Sequence, residues 1–582
     1  MFIKVTLSGA RRYAQLVESF RNVDGKPRQR TVCTLGRLED GGEVDTLIAS
    51  LQRARGITPT PSPLEGLRFT DSRHAGDVWA LSELWRSLGF DDLASAWRRS
   101  KTETDVLGCL RLMVFNRLCD PGSKLGVLRW LDTVALPVGV AKSLPEHHHL
   151  LRAMDVLDEY SDTLGDKLAT LMRPLIDQDL SVVFYDLTTV GVTGQTDLEE
   201  DVRAYGRAKS GLVERQFMLS LVQTAQGLPI AHEVHPGNTA EAKTLLPMIA
   251  KLLARYPLKR VVLVADRGLL SVGNLEELDK LQTQLKKDGR DVALEYILAV
   301  PAARYGEFAE DLSQLSAAQT KEQSGDACDD QPCAWCAETK WQNKRLVVAH
   351  DPEVAARRAQ ARDKTIAELL AMGQLCSDKL DGQDESQRAG KRNKTKGRPM
   401  SDSGTKARFY HAVKDAHMAH VIKVDLKADL FSYTIDEDKK RYLELLDGKL
   451  LLVTNTDAPA QEVVQRYKSL ADIEQGFKVL KSDIEIGPVY HRLPQRIRSH
   501  ALVCFMALIL YRVMRMRLAS AKRSESPAAL LEQLKRIHQQ TVQTTDGKTL
   551  TGLTEMTPAQ KSLFAALELA LPTPENLTKP VL

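Results

Sequence analysis

Three acidic residues stand out by where they fall in the chain. Asp186 closes the run SVVFYD, Asp266 closes RVVLVAD, and Glu474 lies in YKSLADIEQGFKVLK with Tyr467 seven residues before it and Lys481 seven after. Three converging carboxylates can hold two Mg²⁺ ions about 3.5–4 Å apart, one serving the attacking and one the leaving oxygen of a phosphodiester displacement. Taken singly, an aspartate at a strand end is more often a helix cap or a turn former. Two helical turns take about 7.2 residues, so Tyr467, Glu474 and Lys481 are expected on nearly one helix face, together with Leu470 and Phe477. That face could be an apolar stripe with a solvated glutamate at its edge. Glu474 sits in the middle of the stripe, where a carboxylate needs a cation, and a metal shared with Asp186 and Asp266 would supply it.

The elements around these residues decide between the two readings. From Leu180 the sequence runs as a β-branched and aromatic strand, then the strands RQFMLSLVQT and LPIAHEV, separated by Ala225-Gln226-Gly227 as in an antiparallel hairpin. A helix over about Thr239–Arg255, the strand RVVLVAD, a helix over about Ser271–Leu285 and the strand YILAVP follow. This βββαβαβ order is that of the ribonuclease-H-like fold, in which the first and fourth strands are neighbours. Asp186 and Asp266 end those two strands, so their side chains can meet. The expected class is α/β, with a ribonuclease-H-like core over 176–301 and 458–525.

Other segments flank that core. Residues 1–42 alternate apolar and polar positions, with Asp24-Gly25 as a turn, and predict a small β module. Residues 43–175 have helical periodicity, broken at Asp120-Pro121-Gly122. Residues 302–457 read as an insertion. They comprise a polar Cys-containing stretch, the helix-like PEVAARRAQARDKTIAELLAM, a linker with GKRNKTKGRP, and the strands HVIKVDL, LFSYTID and KLLLVTN, which make the insertion β-rich in expectation. Residues 526–582 are expected as a C-terminal helical tail.

Composition narrows the class without naming a function. The 582 residues are enough for several domains, and 43% hydrophobic with 27% charged residues is ordinary for a globular chain. The net charge is only +4, because 80 Lys and Arg are nearly matched by 76 Asp and Glu. Charge is nevertheless segregated: Ile486–Ser524 contains no acidic residue and eight basic ones, a pattern suited to phosphate. Of these, Arg492, Arg496 and Arg498 precede an apolar helix and are the DNA candidates. The longest apolar run, Ala501–Tyr511, is short of the roughly 18 residues a membrane span needs, and the N-terminus lacks the apolar core of a signal peptide. No membrane segment is expected, and the chain reads as cytoplasmic.

These residues resemble the DDE transposases of bacterial insertion sequences, the type carrying a Tyr-x2-Arg-x3-Glu-x6-Lys signature around the catalytic Glu. Tyr467, Glu474 and Lys481 match it, as do the Asp186 strand, ADRG at 265–268 and GNTAE at 237–241. The signature Arg falls on Leu470, a departure that Arg466 or Lys468 could offset. Asp186 and Asp266 are 80 residues apart, and 208 more precede Glu474, a gap that a β-rich insertion domain fills in the family. The resemblance implies a cut-and-paste transposase with Asp186, Asp266 and Glu474 as catalytic metal ligands, two Mg²⁺ ions with Mn²⁺ as a substitute, and DNA contacts by Tyr467 and Lys481. Hydrolysis at a transposon end would free a 3′-hydroxyl that attacks target DNA. It also implies a homodimer on paired terminal inverted repeats, end recognition by the region before Leu180, and a nucleoid-associated bacterial protein. Two alternatives use the same residues: a ribonuclease-H-like nuclease without strand transfer, and a DNA-binding descendant that has lost catalysis.

Weaker signals remain. Cys328, Cys333 and Cys336 include one pair at zinc-ligand spacing, with His350 or Cys376 as further candidates, but three cysteines in a polar insertion are as easily incidental. Trp335 and Trp341 could stack on a base or simply pack a hairpin. Lys391, Arg392, Lys394, Lys396 and Arg398 could track phosphates or form a solvated linker. His500 is expected to be structural. The run His147-His148-His149 is discounted as a metal site, because adjacent helical side chains diverge.

Overall fold

The computed structural model describes the chain except residues 10, 39–42, 57–66, 177–180, 195–200, 208–212, 241–242, 257, 266–271, 288, 290–291, 324–333, 390–399, 545–546 and 579–582, and except the side chains of 181–182, 207, 272–274, 319–323, 387 and 471–474. Its described residues fall into two compact units. One comprises 1–72 with 539–552, the other 73–538 with 553–579.

In the first unit, β1 (Phe2–Ser8), β2 (Arg11–Arg21) and β3 (Pro27–Arg37) form an antiparallel sheet in that order. The expected turn closes β2 onto β3: Gly25 has φ +74° and its N–H donates to Asn22 O, a conformation that glycine adopts without Cβ strain. Helix α1 (Glu43–Ala54) follows. Strand β4 (Arg68–His74) then leads into the second unit.

The helical region contains α2 (Gly76–Ser87), α3 (Val106–Cys119), α4 (Lys124–Leu131), α5 (His147–Glu159) and α6 (Ser161–Met172). Asp105 and Ser123 cap α3 and α4, accepting from Gly108 N and Gly126 N. The break expected at 120–122 is the α3–α4 connection.

The core sheet begins with β5 (Ser181–Gly191), β6 (Ala204–Arg207), β7 (Val213–Thr224) and β8 (Pro229–Pro236). After α7 (Leu245–Arg255) come β9 (Arg260–Ala265), α8 (Val272–Lys287) and β10 (Ala293–Ala299). Strand β7 pairs antiparallel with both β5 and β8, while β9 lies between β5 and β10 and is parallel to each. This is the arrangement expected of a ribonuclease-H-like core. Alternation divides its side chains between two faces. Phe184, Val262, Val264, Ile297 and Ala299 belong to one buried cluster, and Val183, Tyr185, Val261, Leu263 and Leu298 to another.

The insertion departs from expectation. It holds α9 (Ala309–Gln323), β11 (Trp335–Trp341), β12 (Lys344–His350), α10 (Pro352–Arg388), α11 (Asp402–Asp415), β13 (Ile422–Val424), β14 (Tyr433–Ile435), α12 (Glu437–Leu446) and β15 (Lys449–Thr454). Among its described residues it is rich in helix, not in β-structure. The 37-residue α10 runs well past the apolar-patterned segment because its polar continuation, SDKLDGQDESQR, contains many good helix formers. Strand β15 pairs antiparallel with β10 and β12, so β15, β12 and β11 extend the core sheet, which reaches nine strands among the described residues. Only the short β13–β14 pair stands apart as a two-stranded sheet.

Next come α13 (Ala460–Lys468), α14 (Leu470–Ser482) and α15 (Pro494–Ser520), the last buried along most of its 27 residues. The C-terminal segment is not only helical. Between α16 (Pro527–Lys535) and α17 (Pro558–Ala566) lie β16 (His538–Gln543) and β17 (Thr549–Leu553), in a sheet ordered β17-β16-β4. Their threonine-rich runs are short and flanked by helical patterns, which hides them from a periodicity reading. No described helix is long and apolar enough to cross a membrane.

Candidate active site

Asp186 lies on β5, half-buried, and its Oδ1 accepts from Leu187 N at 2.7 Å. The strand is held from both sides. Tyr185 points to the opposite face, where its hydroxyl donates to Thr244 Oγ1 at 2.6 Å beside the start of α7. In the parallel β5–β9 pair, Phe184 is registered with Val264 and Tyr185 with Ala265. Asp266 lies outside the described residues, as does Glu241 of GNTAE.

Period-2 alternation puts Asp186 on the face of Phe184. That face carries the second cluster, which Val463, Val464 and Leu470 of α13 and α14 complete. Leu470, at the start of α14, packs on that face, while Phe477, Val479 and Leu480 farther along α14 belong to the other cluster. The close approach of α14 is marked at Gly476, where an added Cβ would stand 2.7 Å from Gln223 Oε1 on β7, and Gln223 is the register partner of Phe184. Glu474 is two residues before Gly476. Its backbone belongs to α14, while its side chain lies outside the described residues.

The single helix expected for Tyr467, Glu474 and Lys481 is two helices. α13 ends at Lys468, and the intervening Ser469 turns its hydroxyl back to Gln465 O and Arg466 O, each at 3.0 Å, a bond pattern that bends helices. Tyr467, in the last turn of α13, packs against the cluster containing Leu470, whereas Lys481 is exposed on α14. Leu470, at the signature Arg position, is 5% exposed. Of the two offsetting candidates, Arg466 donates to Glu462 at 2.6 Å and Lys468 to Asp351 at 3.2 Å.

The basic run also makes ion pairs within the chain. Arg496 makes two 2.8 Å hydrogen bonds to Asp155 on α5, and Arg498 lies 3.9 Å from Asp158 on the same helix. These arginines tie α15 to α5, an internal use of charge that a one-dimensional count cannot show. Farther along, Arg517 donates to Leu567 O, Arg523 pairs with Glu525, and Arg512 is 4% exposed. Arg492 remains exposed.

The sequence matches the transposase DDE domain family over residues 177–510, more than half of the chain. The chain belongs to the DDE transposases. Residues 3–62 match the IS1634 family transposase, N-terminal domain, which places this transposase with those of insertion sequences. No curated protein matches it. It is accordingly an enzyme acting on DNA, in a family whose DDE domains generally use divalent metals.

The transposase puts the weaker signals to structural use. Trp335 and Trp341 end β11, with Lys449 Nζ 5.1 Å and Arg304 5.0 Å from their respective ring centroids. Cys336 is half-buried on β11, while Cys328, Cys333 and the basic run Lys391–Arg398 lie outside the described residues. His149 accepts from Glu146 N and so helps cap α5. His500 is buried, with Nε2 2.9 Å from Ile486 O, the structural role expected. No described group of three or more His, Cys, Asp or Glu is placed to hold a metal. One residue had no sequence signal at all: Lys124, a lysine 5% exposed beside a cavity.

Proposed function

We propose that this transposase performs cut-and-paste transposition, with Asp186, Asp266 and Glu474 holding two Mg²⁺ ions for which Mn²⁺ can substitute. The observation that carries the reading is the pairing of Tyr185 with Ala265, one residue before each aspartate, on a sheet that the helix bearing Glu474 approaches where Gly476 meets Gln223. Hard carboxylate oxygens suit Mg²⁺, and a bound metal pair supplies Lewis-acid stabilisation of the attacking and leaving oxygens. Leu187 N–H orients the Asp186 carboxylate for that role.

In the first step a water oxygen attacks phosphorus at the transposon end and the 3′-hydroxyl leaves. In the second that hydroxyl attacks a target phosphodiester, so one such bond is exchanged for another. Lys481 neutralises phosphate beside the scissile bond, Tyr467 contacts neighbouring DNA, and Arg492 takes a more distant phosphate. Arg496 and Arg498 act indirectly, by holding the start of α15 to α5. The N-terminal β module and the helical region recognise the terminal inverted repeats, and two copies act on paired ends.

The test is cleavage and strand transfer of DNA carrying the element's own ends, with Mg²⁺ or with EDTA. Asp186→Ala, Asp266→Ala and Glu474→Ala should each bind the ends and lose both reactions. Full activity in any one removes that residue from the metal site. Cleavage without joining by the unaltered chain would favour a nuclease.

A further inference from the structure

A cavity of about 540 Å³ lies between α4, α5, the start of α15 and the loop preceding α15. Cations dominate its lining: Arg117, Lys124, Arg492 and Arg496, with Glu485 the one acidic residue among them. Arg496 is already paired with Asp155. Lys124 is not paired. It is 5% exposed, and its Nζ has no hydrogen-bond partner among the described residues. An ammonium taken from water and left unpaired is strongly disfavoured, so such a group normally has a counter-charge.

The neighbouring groups add to the positive charge. Arg117 is fixed by backbone carbonyls, donating through Nη1 to Glu485 O at 3.0 Å and through Nη2 to Gly122 O, with no carboxylate in contact among the described residues. Burial, then Arg117, holds the Lys124 pKa down at about 7. Burial, then Lys124, Arg496, Arg117 and His147, holds His491 down at about 4. The Cys504 thiol opposes the shift at Lys124, and no carboxylate is among the leading influences on either group. A cluster of cations that depress one another is stabilised by an anion placed among them.

Size and position indicate which anion. The cavity lies within the usual range for small-molecule sites and has room for a sugar attached to a phosphate. Tyr490, 68% exposed, also lines it and offers a face for stacking. The loop is fastened to the end of β5, with Val489 N donating to Gly191 O at 3.0 Å. Gly191 lies five residues along β5 from Asp186, roughly 17 Å at about 3.3 Å per residue.

We propose that this cavity is a phosphate-binding seat, separate from the carboxylate site, in which Lys124 and Arg117 hold a backbone phosphate of the bound DNA. The anion chemistry stands without the carboxylate assignment. Only the choice of DNA as its source rests on that assignment.

The test uses the full chain in EDTA, so that no metal-dependent step intervenes. Orthophosphate should raise the unfolding temperature saturably in the unaltered protein and in Asp186→Ala, but not in Lys124→Met. In DNA binding, the slope of log K against log salt should fall by about 1 in Lys124→Met. A phosphate effect with an unchanged slope keeps the seat and assigns it a free phosphate. A measurement that needs no variant is the titration of His491 followed by NMR, whose midpoint should move up from about 4 when orthophosphate is added. No saturable phosphate effect, one equally large in Lys124→Met, or an unmoved His491 midpoint overturns the proposal.

Discussion

Gly476 on α14 and Gln223 on β7 approach so closely that any side chain at 476 meets the glutamine amide, with 2.7 Å between an added Cβ and Oε1. The glutamine is fully buried, so a larger residue at 476 must displace its amide or lift the Glu474 helix from the core sheet. Gly476→Val should therefore cost about 1–3 kcal/mol from overpacking and reduce strand transfer by shifting α14. In a double-mutant cycle, Gln223→Ala should recover part of both losses. Additive losses would show that the two residues do not press on each other.

Leu470 occupies the place of the signature arginine, yet it is buried with Phe184 and Val464. Leu470→Arg should destabilise by about 2–5 kcal/mol, the range for losing a buried leucine, without tightening DNA binding. Denaturant unfolding and DNA titration measure the two effects. Tighter binding at unchanged stability would return position 470 to the DNA interface.

Arg492 and Arg496 are four residues apart but differently engaged. Arg492→Ala should lower the salt slope of DNA binding by about 1 and leave stability nearly unchanged. Arg496→Ala, which breaks the partly exposed pair with Asp155, should cost about 1 kcal/mol and leave the slope alone. The reverse pattern would exchange their roles.

His232 stacks on Phe505 with ring centroids 4.3 Å apart. Burial, then Lys251 and Arg255, lowers its pKa from 6.5 to about 3. The unfolded chain binds this proton more readily than the folded one. The contribution is therefore complete above about pH 6.5 and is lost as pH falls toward 3. His232→Gln should flatten the dependence of the urea midpoint on pH across that window. An identical dependence in both proteins would place the titration elsewhere.

The sequence by itself determined the core strands, the hairpin at 225–227, the turn at Asp24-Gly25 and the apolar helix behind the site. Each is encoded by periodicity or turn chemistry within about ten residues. The same local patterns singled out Asp186 and the Tyr467–Lys481 segment. Only the tertiary structure decided what distant segments do to one another. It paired Tyr185 with Ala265 across 80 positions and drew β15 out of the insertion into the core sheet. It also broke the expected single helix at Ser469, turned Arg496 inward to Asp155, and buried Lys124 beside Arg117. Strand partners, ion pairs and the burial of a charge depend on which surfaces meet, and residues hundreds apart carry no local mark of that meeting.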